Sequence, residues 1–287
     1  SRIMCPRGLW CAALAVITVP PSLCGSAGLP RFSWKTLPVA WHSSNASGVW
    51  TDEQTAILAR YAMVTLEKDQ GTDVIVPAAT RAAKAMFWCQ SIVNESDLTA
   101  CGCCAEDQHS LAGKAIKAKD PTTVVMSYHN SVISYPWFGA ARDLVAQPSW
   151  WLRDAAGDVM HNLDPGRPDN ESWLTWNHGD EAASAGWAAG CLAVVRQGGV
   201  DSCFVDGCMK TPSSLAPATQ KAYLPNKLAM LRRLQNQVPG PLICGSNGDV
   251  VSGIGGSQIQ NWGKGGKYAT REIPMLQRAV AAGIVFQ

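Results

Sequence analysis

The sequence predicts an α/β protein built as a TIM-type (β/α)8 barrel. Seven short apolar or β-branched segments alternate with segments of helical periodicity, which indicates parallel strands joined by helical crossovers. Polar residues follow several of these strands, as the mouth of a barrel requires, whereas a doubly wound sheet would gather them at one switch point. Because an eighth strand is missing, we expect the chain to end before the barrel does.

The strands are assigned from short apolar or β-branched runs. Residues 123–128 are the clearest case, because a strand buried on both faces of a parallel sheet is apolar almost throughout. In chain order, the predicted strands are residues 37–41, 63–66, 123–128, 200–205, 242–244, 254–262 and 284–286.

The helices are assigned from periodicity together with start and stop signals. Thr51-Asp52-Glu53 starts the first helix, Gly198-Gly199 ends the fourth, and Pro239-Gly240-Pro241 follows the fifth. In chain order, the predicted helices are residues 54–61, 77–86, 107–118, 180–196, 216–235 and 271–282.

Two segments interrupt this alternation. One is a Cys-rich insertion at about residues 89–104. The other, at about residues 136–176, is rich in Pro, Gly and Trp, and we expect a long loop excursion above the core with a small hairpin or turn at residues 151–159. Long loops inside compact domains are usually functional.

The first 27 residues have the three parts of a secretory signal peptide. Arg7 precedes an apolar stretch at residues 9–19, and small residues follow at Gly25-Ser26-Ala27. The apolar stretch is too short to span a bilayer. We therefore expect a cleaved leader at residues 1–27, one barrel domain over residues 28–287, and a secreted protein without membrane contact after cleavage.

The cysteines agree with an extracellular location. Of 11 cysteines, three lie in the leader, and the even remainder predicts disulfide bonds in an oxidising compartment. Glycosylation sequons begin at Asn45, Asn94 and Asn170. A zinc site is the alternative for the cluster Cys101, Cys103 and Cys104 with His109, but no second ligand pair follows, so we expect neither a metal nor a cofactor.

Several function classes are excluded by composition and motifs. The net charge of +2 and the lack of a basic run argue against nucleic acid as a partner. The chain lacks a phosphate-binding loop, a complete G-x-G-x-x-G fingerprint and the G-x-S-x-G elbow of α/β-hydrolases. The 12 Trp residues suit the flat faces of sugar rings, although most Trp residues in proteins belong to the core.

The function class that these exclusions leave is the hydrolysis of glycosides by carboxylates, which normally needs two acidic residues. Asp206 ends a buried strand and is followed by Gly207, whose small size leaves space for a ligand. The alternative role of Asp206 is to cap the next turn. Glu67 ends the second strand and is the candidate acid partner. It is also a candidate sugar-hydroxyl acceptor, or half of a salt bridge with Lys68 or Lys35.

The candidate substrate-binding residues lie at strand ends and in the excursion. Tyr128 and Asn130 share parity, so they point to the same face. Asp154 lies in the hairpin, where a turn role competes with a binding role. The full set is Trp41, His42, Tyr128, Asn130, Asp154, Asn247, Gln260 and Trp262.

Five segments, in this order, resemble the secreted TIM-barrel glycoside hydrolases of microalgae and protists. They lie within about residues 37–287, at 65–71, 115–124, 128–132, 152–157 and 200–207. The resemblance implies a barrel, a carbohydrate ligand and an acidic residue at the end of the fourth strand, here Asp206. Such proteins place a Glu near the end of the sixth strand, where Gln260 is the counterpart in this chain.

An amide cannot donate a proton as a carboxylic acid does, so Gln260 separates two readings of the barrel. The first is a glycoside hydrolase. The second is an inactive barrel that binds polysaccharide through Trp41, Trp137, Trp150, Trp151, Trp176 and Trp262. A disulfide-rich structural or surface protein without a ligand is a third possibility, and the sequence leaves the oligomeric state open.

Overall fold

The computed structural model describes residues 39–75, 105–135, 137–163, 172–245, 251, 253–258, 277 and 285–286. The predicted leader, the Cys-rich insertion, the predicted helix at residues 77–86 and nearly all of the predicted helix at residues 271–282 lie outside these ranges. So do three of the candidate binding residues: Asn247, Gln260 and Trp262.

Strands and helices alternate through most of the described chain. The strands are β1 (Ala40–Ser43), β2 (Met63–Leu66), β3 (Val124–Asn130), β4 (His161–Leu163), β5 (Ser172–Leu174), β6 (Ser202–Asp206), β7 (Ile243–Gly245), β8 (Gly256–Gln258) and β9 (Val285–Phe286). The helices are α1 (Asp52–Leu58), α2 (Thr72–Ile75), α3 (Ala105–Lys119), α4 (Gly139–Ala146), α5 (Glu181–Gln197) and α6 (Pro217–Gln235).

Seven strands form one parallel sheet whose spatial order follows the chain, β1-β2-β3-β6-β7-β8-β9. A doubly wound sheet reverses its order at a switch point, and this sheet does not, so its topology is that of a barrel wall. The predicted parallel α/β sheet is confirmed. Within the described part of the chain the sheet is open, because β1 and β9 each have one neighbour.

The excursion is more structured than the sequence predicted. Instead of a long loop with one hairpin, it contains α4, a 3-10 turn at Pro148–Trp150 and the antiparallel pair β4–β5. The predicted hairpin is present as a bridge between Arg153 and Val159. Sequence reasoning missed α4 because Phe138 at its start supplies no side-chain cap; the cap comes from a distant residue of α3.

Strand ends also differ from the prediction at the mouth of the sheet. β3 continues to Asn130 and β6 continues to Asp206, each beyond the apolar run that predicted it. The register pairs Asn130 with Asp206, and the Ser131 amide donates to the Asp206 carbonyl over 2.9 Å. Main-chain pairing therefore extends both strands into polar sequence.

The two faces of the sheet bury different sets of side chains, because neighbours along a strand alternate. The outer face packs against the helices through Val64, Leu66, Val125, Cys203, Val205 and Cys244, which share a core with Ile116, Trp187 and Leu231. The inner face forms a second core of Met63, Val124, Met126, Tyr128, Phe204 and Ile243, covered by Trp137 and Trp173 from the excursion.

Local signals and covalent links hold the helices onto this sheet. Thr51 and Gln54 form a capping box at the start of α1, and Asp180 caps α5. Disulfides join Cys191 of α5 to Cys203 of β6, and Cys208 to Cys244 of β7. Disulfide formation is thus confirmed for these four cysteines.

No helix in the described ranges is both long enough and apolar enough to cross a membrane.

Candidate active site

The predicted carboxylate Asp206 lies at the carboxyl end of β6, the fourth strand of the seven-stranded sheet. Its Oδ2 accepts hydrogen bonds from the Tyr128 hydroxyl over 2.6 Å and from Asn130 Nδ2 over 3.1 Å. Both bonds go to the same oxygen, so Oδ1 keeps its lone pairs for a ligand as far as the described residues extend. The structure therefore brings Asp206, Tyr128 and Asn130 together, and Tyr128 and Asn130 lie on the same face of the sheet, as their parity predicted.

Asn130 is fixed in orientation at both ends of its amide. Its Oδ1 accepts from the amides of Val132 and Ile133, each over 2.8 Å. The Nδ2 group is then turned toward Asp206 and the Tyr128 oxygen, 3.0 Å away. The Asp206 backbone is held as well, since the Ser131 hydroxyl donates to its carbonyl over 3.0 Å.

Tyr128 remains a proton donor to Asp206. Burial, followed by the charges and hydrogen bonds of Tyr135 and Asp206, raises the pKa of the Tyr128 hydroxyl well above its usual value. The Tyr128 ring stacks on Phe204 with 6.0 Å between centroids. A neutral donor of fixed position thus orients the carboxylate that it contacts.

Glu67, the second predicted carboxylate, follows β2 and is held in an ion pair. It accepts a short hydrogen bond from His42 Nε2, and Lys68 Nζ lies 2.9 Å from its Oε2. Burial alone would raise the pKa of Glu67, but His42 and Lys68 together outweigh burial and lower it to about 2. The salt bridge to Lys68 was one of the alternatives that the sequence left open.

This environment corrects the expectation that Glu67 is the acid partner. A general acid must hold its proton near neutral pH, which requires a raised pKa. The surroundings of Glu67 lower its pKa instead. Its carboxylate is suited to accept hydrogen bonds from a ligand or to orient Lys68 and His42.

The two carboxylates belong to one mouth, connected through Lys68 and two tyrosines. Lys68 Nζ lies 5.3 Å from the centre of the Tyr128 ring. Tyr135 contacts Tyr128, with 6.1 Å between ring centroids, and its hydroxyl interacts electrostatically with Lys68, Asp206 and Glu67. Sequence reasoning missed Tyr135, and its place between β3 and the predicted excursion was the one signal available.

Other predicted binding residues lie in different settings. His42 faces the inner side of the sheet, edge-on to Phe204 at 4.7 Å. Trp41 has the opposite parity and packs against the outer core and Tyr61, so its expected place at the mouth is corrected. Asp154 Oδ1 accepts hydrogen bonds from the backbone amides of Ala156 and Asp158, over 2.8 and 3.0 Å. Asp154 therefore stabilises the turn, which was the alternative to its predicted binding role.

The described tryptophans of the predicted polysaccharide-binding array belong mainly to the cores. Trp137 is buried and its indole donates to the Lys68 carbonyl over 2.7 Å. Trp176 is buried, while Trp150 and Trp151 are half-buried against the same outer core. The polysaccharide-binding role predicted for Trp137 and Trp176 is therefore corrected, because their apolar area is buried in packing. For the half-buried Trp150 and Trp151 that role stays a prediction.

His109, the histidine of the alternative zinc cluster, is engaged by the protein. Its Nδ1 lies 2.6 Å from Ser127 Oγ and its Nε2 lies 3.1 Å from the Glu67 carbonyl. Burial lowers the pKa of His109 to about 4, so the ring is neutral and supports the Glu67 backbone. In the described ranges, no three His, Cys, Asp or Glu side chains are grouped to hold a metal ion.

Comparison with known proteins gives a likeness of fold. No protein-family profile and no curated protein sequence matches the chain. A cycloisomaltooligosaccharide glucanotransferase from Paenibacillus sp. aligns with 87% of this chain and 38% of its own, at 11% identity and a TM-score of 0.51.

Two further solved structures align less closely. The glycoside hydrolase domain of PelA from Pseudomonas aeruginosa covers 86% of this chain and 80% of its own, at 11% identity and a TM-score of 0.45. The alignment with an α-galactosidase from Thermus thermophilus covers 85% of this chain and 47% of the galactosidase, at 12% identity and a TM-score of 0.45. The chain spans less than half the length of the glucanotransferase and of the galactosidase. At these identities the comparison shows the fold alone, a partial TIM-type barrel.

Proposed function

We propose that this chain is a glycoside hydrolase in which Asp206 is the nucleophile or the general base. The observation that carries the proposal is the mouth geometry of Asp206, with Oδ2 held by Tyr128 and Asn130 and Oδ1 left for a substrate. An oriented carboxylate with one free oxygen is what glycoside hydrolysis requires of its nucleophile or general base. The likeness of fold to a cycloisomaltooligosaccharide glucanotransferase supports a carbohydrate substrate.

In this mechanism, the two oxygens of Asp206 have separate tasks. Oδ1 attacks the anomeric carbon, or takes a proton from a water that attacks it, while Oδ2 keeps its bonds to Tyr128 and Asn130. In either case the glycosidic C–O bond breaks as the new bond forms, and the leaving oxygen departs with the bonding electron pair, as an aryloxide when the substrate is an aryl glycoside. Holding one oxygen fixes the direction of the other, which reduces the entropy cost of reaching the transition state. Glu67, kept ionised by Lys68 and His42, binds sugar hydroxyls rather than donating a proton.

Substituting Asp206→Asn tests the proposal. The amide has nearly the size of the carboxylate but is neither nucleophile nor base, so we expect hydrolysis to fall by at least about 10²-fold with an unchanged melting temperature. Aryl glycosides with acidic leaving groups are the substrates to use, because their cleavage needs little help from a general acid. The control is Asp158→Asn in the exposed turn. Equal rates for Asp206→Asn and the parent would contradict the proposal.

A carbohydrate-binding barrel without catalysis is the second candidate. It is favoured by the low pKa of Glu67 and by the glutamine at the predicted sixth-strand position, Gln260, which leave no assigned proton donor. In that case Asp206 would accept sugar hydroxyls. Retention on a polysaccharide column without release of reducing ends, weakened by Asp206→Asn, would favour this function over hydrolysis.

The proposed setting is extracellular, with residues 28–287 as one barrel domain and carbohydrate rather than nucleic acid as the ligand. The two described disulfides support this, since disulfides persist in oxidising compartments. Sequencing of the chain from the medium of secreting cells should give an amino terminus between Gly25 and Gly28. Retention inside the cells with the leader intact would contradict it.

A further inference from the structure

One of the three glycosylation sequons, Asn45-Ala46-Ser47, forms the turn that follows β1, and the other two lie outside the described residues. The Gly48 amide donates to the Asn45 carbonyl over 3.1 Å, and Gly48 continues the turn with a left-handed φ of 108°. Ser47 is exposed and Asn45 is half-buried. The sequon therefore lies in a surface turn, which is the setting of N-glycan acceptors.

The side chain of Asn45 is oriented by this turn and keeps a nitrogen position for a sugar. Its Oδ1 accepts a hydrogen bond from the Ser47 amide over 3.1 Å, and its Nδ2 lies 3.5 Å from the Val49 carbonyl. An asparagine amide has two N–H groups, of which one can point to that carbonyl. The second can be replaced by a bond to a sugar without loss of either contact.

Two exposed apolar side chains adjoin the sequon. Val49 is 41% exposed, and Val74 of α2 is 58% exposed. Val74 borders the same turn, because a Cβ at Gly48 would lie 3.3 Å from its Cγ2. The first sugar of a glycan on Asn45 would cover these side chains and remove apolar surface from water. The exposed valines are an observation independent of the sequence motif.

The turn lies at the rim of the mouth, next to Glu67. The Glu67 amide donates to the carbonyl of Ser43, the last residue of β1, over 3.0 Å. Two residues further along the chain, the Asn45 amide donates to Gln70 Oε1 over 2.9 Å. Asn45 is thus fixed to the segment that follows Glu67, and a glycan on it would project beside the carboxyl ends of β1 and β2.

We propose that Asn45 is an N-glycan attachment site on the rim of the mouth, on the side formed by β1 and β2. The donor is a lipid-linked oligosaccharyl diphosphate of the secretory pathway. Asn45 Nδ2 bonds to the anomeric carbon of this donor as the carbon–oxygen bond to the diphosphate breaks. The diphosphate leaves with the bonding electron pair, and the amide nitrogen gives up one proton to a base of the transferase. The inference rests on the proposed extracellular setting, and it does not depend on hydrolysis.

Site-resolved mass spectrometry of the full chain, expressed in eukaryotic cells, tests the proposal. Release of N-glycans with a peptide N-glycosidase converts each asparagine that carried one to aspartate, which marks the occupied sequons. The parent should be marked at Asn45, whereas Ser47→Ala should lose this mark and the mass of one oligosaccharide. Ser47→Thr keeps the acceptor motif and is the matched control, so it should stay marked. Both variants leave Asn45 in place.

The sequons at Asn94 and Asn170 report independently on entry into the secretory pathway. A mark at either of them with none at Asn45 would overturn the proposal and leave the extracellular setting intact. No mark at any sequon would also overturn the proposal, and retention of that chain inside the cells would contradict the extracellular setting as well. A chain marked at Asn45 that hydrolyses no glycoside would contradict the hydrolase function alone.

Discussion

Asp206 and Glu67 share the mouth of the sheet but have different kinds of partners. Glu67 contacts the cation Lys68 and His42, so its negative charge is locally compensated. Asp206 contacts the neutral donors Tyr128 and Asn130. The difference leaves Asp206 available to a reacting atom, whereas Glu67 is committed to its ion pair.

The ion pair of Glu67 makes stability depend on pH at the acidic end. Since the pKa falls from 4.5 to about 2 on folding, the stabilisation is present above pH 4.5 and is lost as the pH drops toward 2. We expect Glu67→Gln to lower the free energy of unfolding at pH 7 by up to about 3 kcal/mol and to flatten the loss of stability on acidification.

Urea unfolding at pH 7, 4 and 3 measures this dependence. Glu53→Gln in the exposed first turn of α1 is the control, and it should leave the acid loss unchanged. Equal pH dependence in the parent and in Glu67→Gln would show that the ion pair contributes no net stability.

At the scale of elements, the excursion is attached to the barrel through a buried carboxylate. The Glu106 carboxylate of α3 accepts hydrogen bonds from the backbone amides of Gly139 over 2.8 Å and of Ala140 over 3.4 Å, at the start of α4. It thereby supplies the cap that Phe138 lacks. Burial raises the pKa of Glu106, because the hydrogen bonds do not offset the loss of hydration.

We therefore expect the contribution of Glu106 to stability to depend on pH with the opposite sign to that of Glu67. Because folding raises the pKa of Glu106, its side chain stabilises the fold fully below the pKa of the unfolded chain, near 4.5. This stabilisation is lost as the pH rises through the pKa of the folded protein. Glu106→Gln keeps an acceptor for the Gly139 amide without the charge. We expect its melting temperature at pH 8 to equal or exceed that of the parent.

Thermal unfolding at pH 5 and pH 8 tests this expectation. Glu106→Ala removes the cap itself and should cost about 1 kcal/mol at pH 5 and less at pH 8. The exposed Glu181→Gln serves as the control for loss of a surface charge. A lower melting temperature for Glu106→Gln than for the parent at pH 8 would mean that the charged carboxylate is needed.

At the scale of the whole molecule, the site is assembled from strands that are far apart in the chain. His42, Glu67, Asn130 and Asp206 come from β1, from the residue after β2, from β3 and from β6. Parallel pairing in chain order brings their carboxyl ends to one edge. The next strand ends continue that edge, and β8 places Gln258 in register with Gly245, itself paired with Asp206.

Gln260, two residues beyond β8, is the position at which a proton donor is expected from the family resemblance. Gln260→Glu should raise hydrolysis at least about tenfold, because it adds a carboxyl group of nearly the same size. A second carboxylate near Asp206 would also retain its proton to higher pH, since two like charges resist joint ionisation. The exposed, helical Gln277→Glu is the matched control.

Rates on aryl glycosides with poor leaving groups are the measurement for this variant, because their cleavage depends most on protonation of the leaving oxygen. No gain for Gln260→Glu on a glycoside that the parent binds would contradict a vacated acid position.

The sequence by itself determined the alternation of strands and helices, the parallel sheet, and the place of Asp206, Tyr128 and Asn130 at the mouth. These follow from residue periodicity and parity, which act between near neighbours in the chain. Disulfide formation was likewise predictable from the cysteine count, although the partners of Cys191 and Cys208 were not.

Only the tertiary structure decided which charges and aromatic rings meet. The ionised state of Glu67, the burial of Trp137 and Trp176, and the cap of α4 by Glu106 all depend on residues distant in sequence. Electrostatic and packing energies depend on separation in space, and separation in space is set by the path of the whole chain.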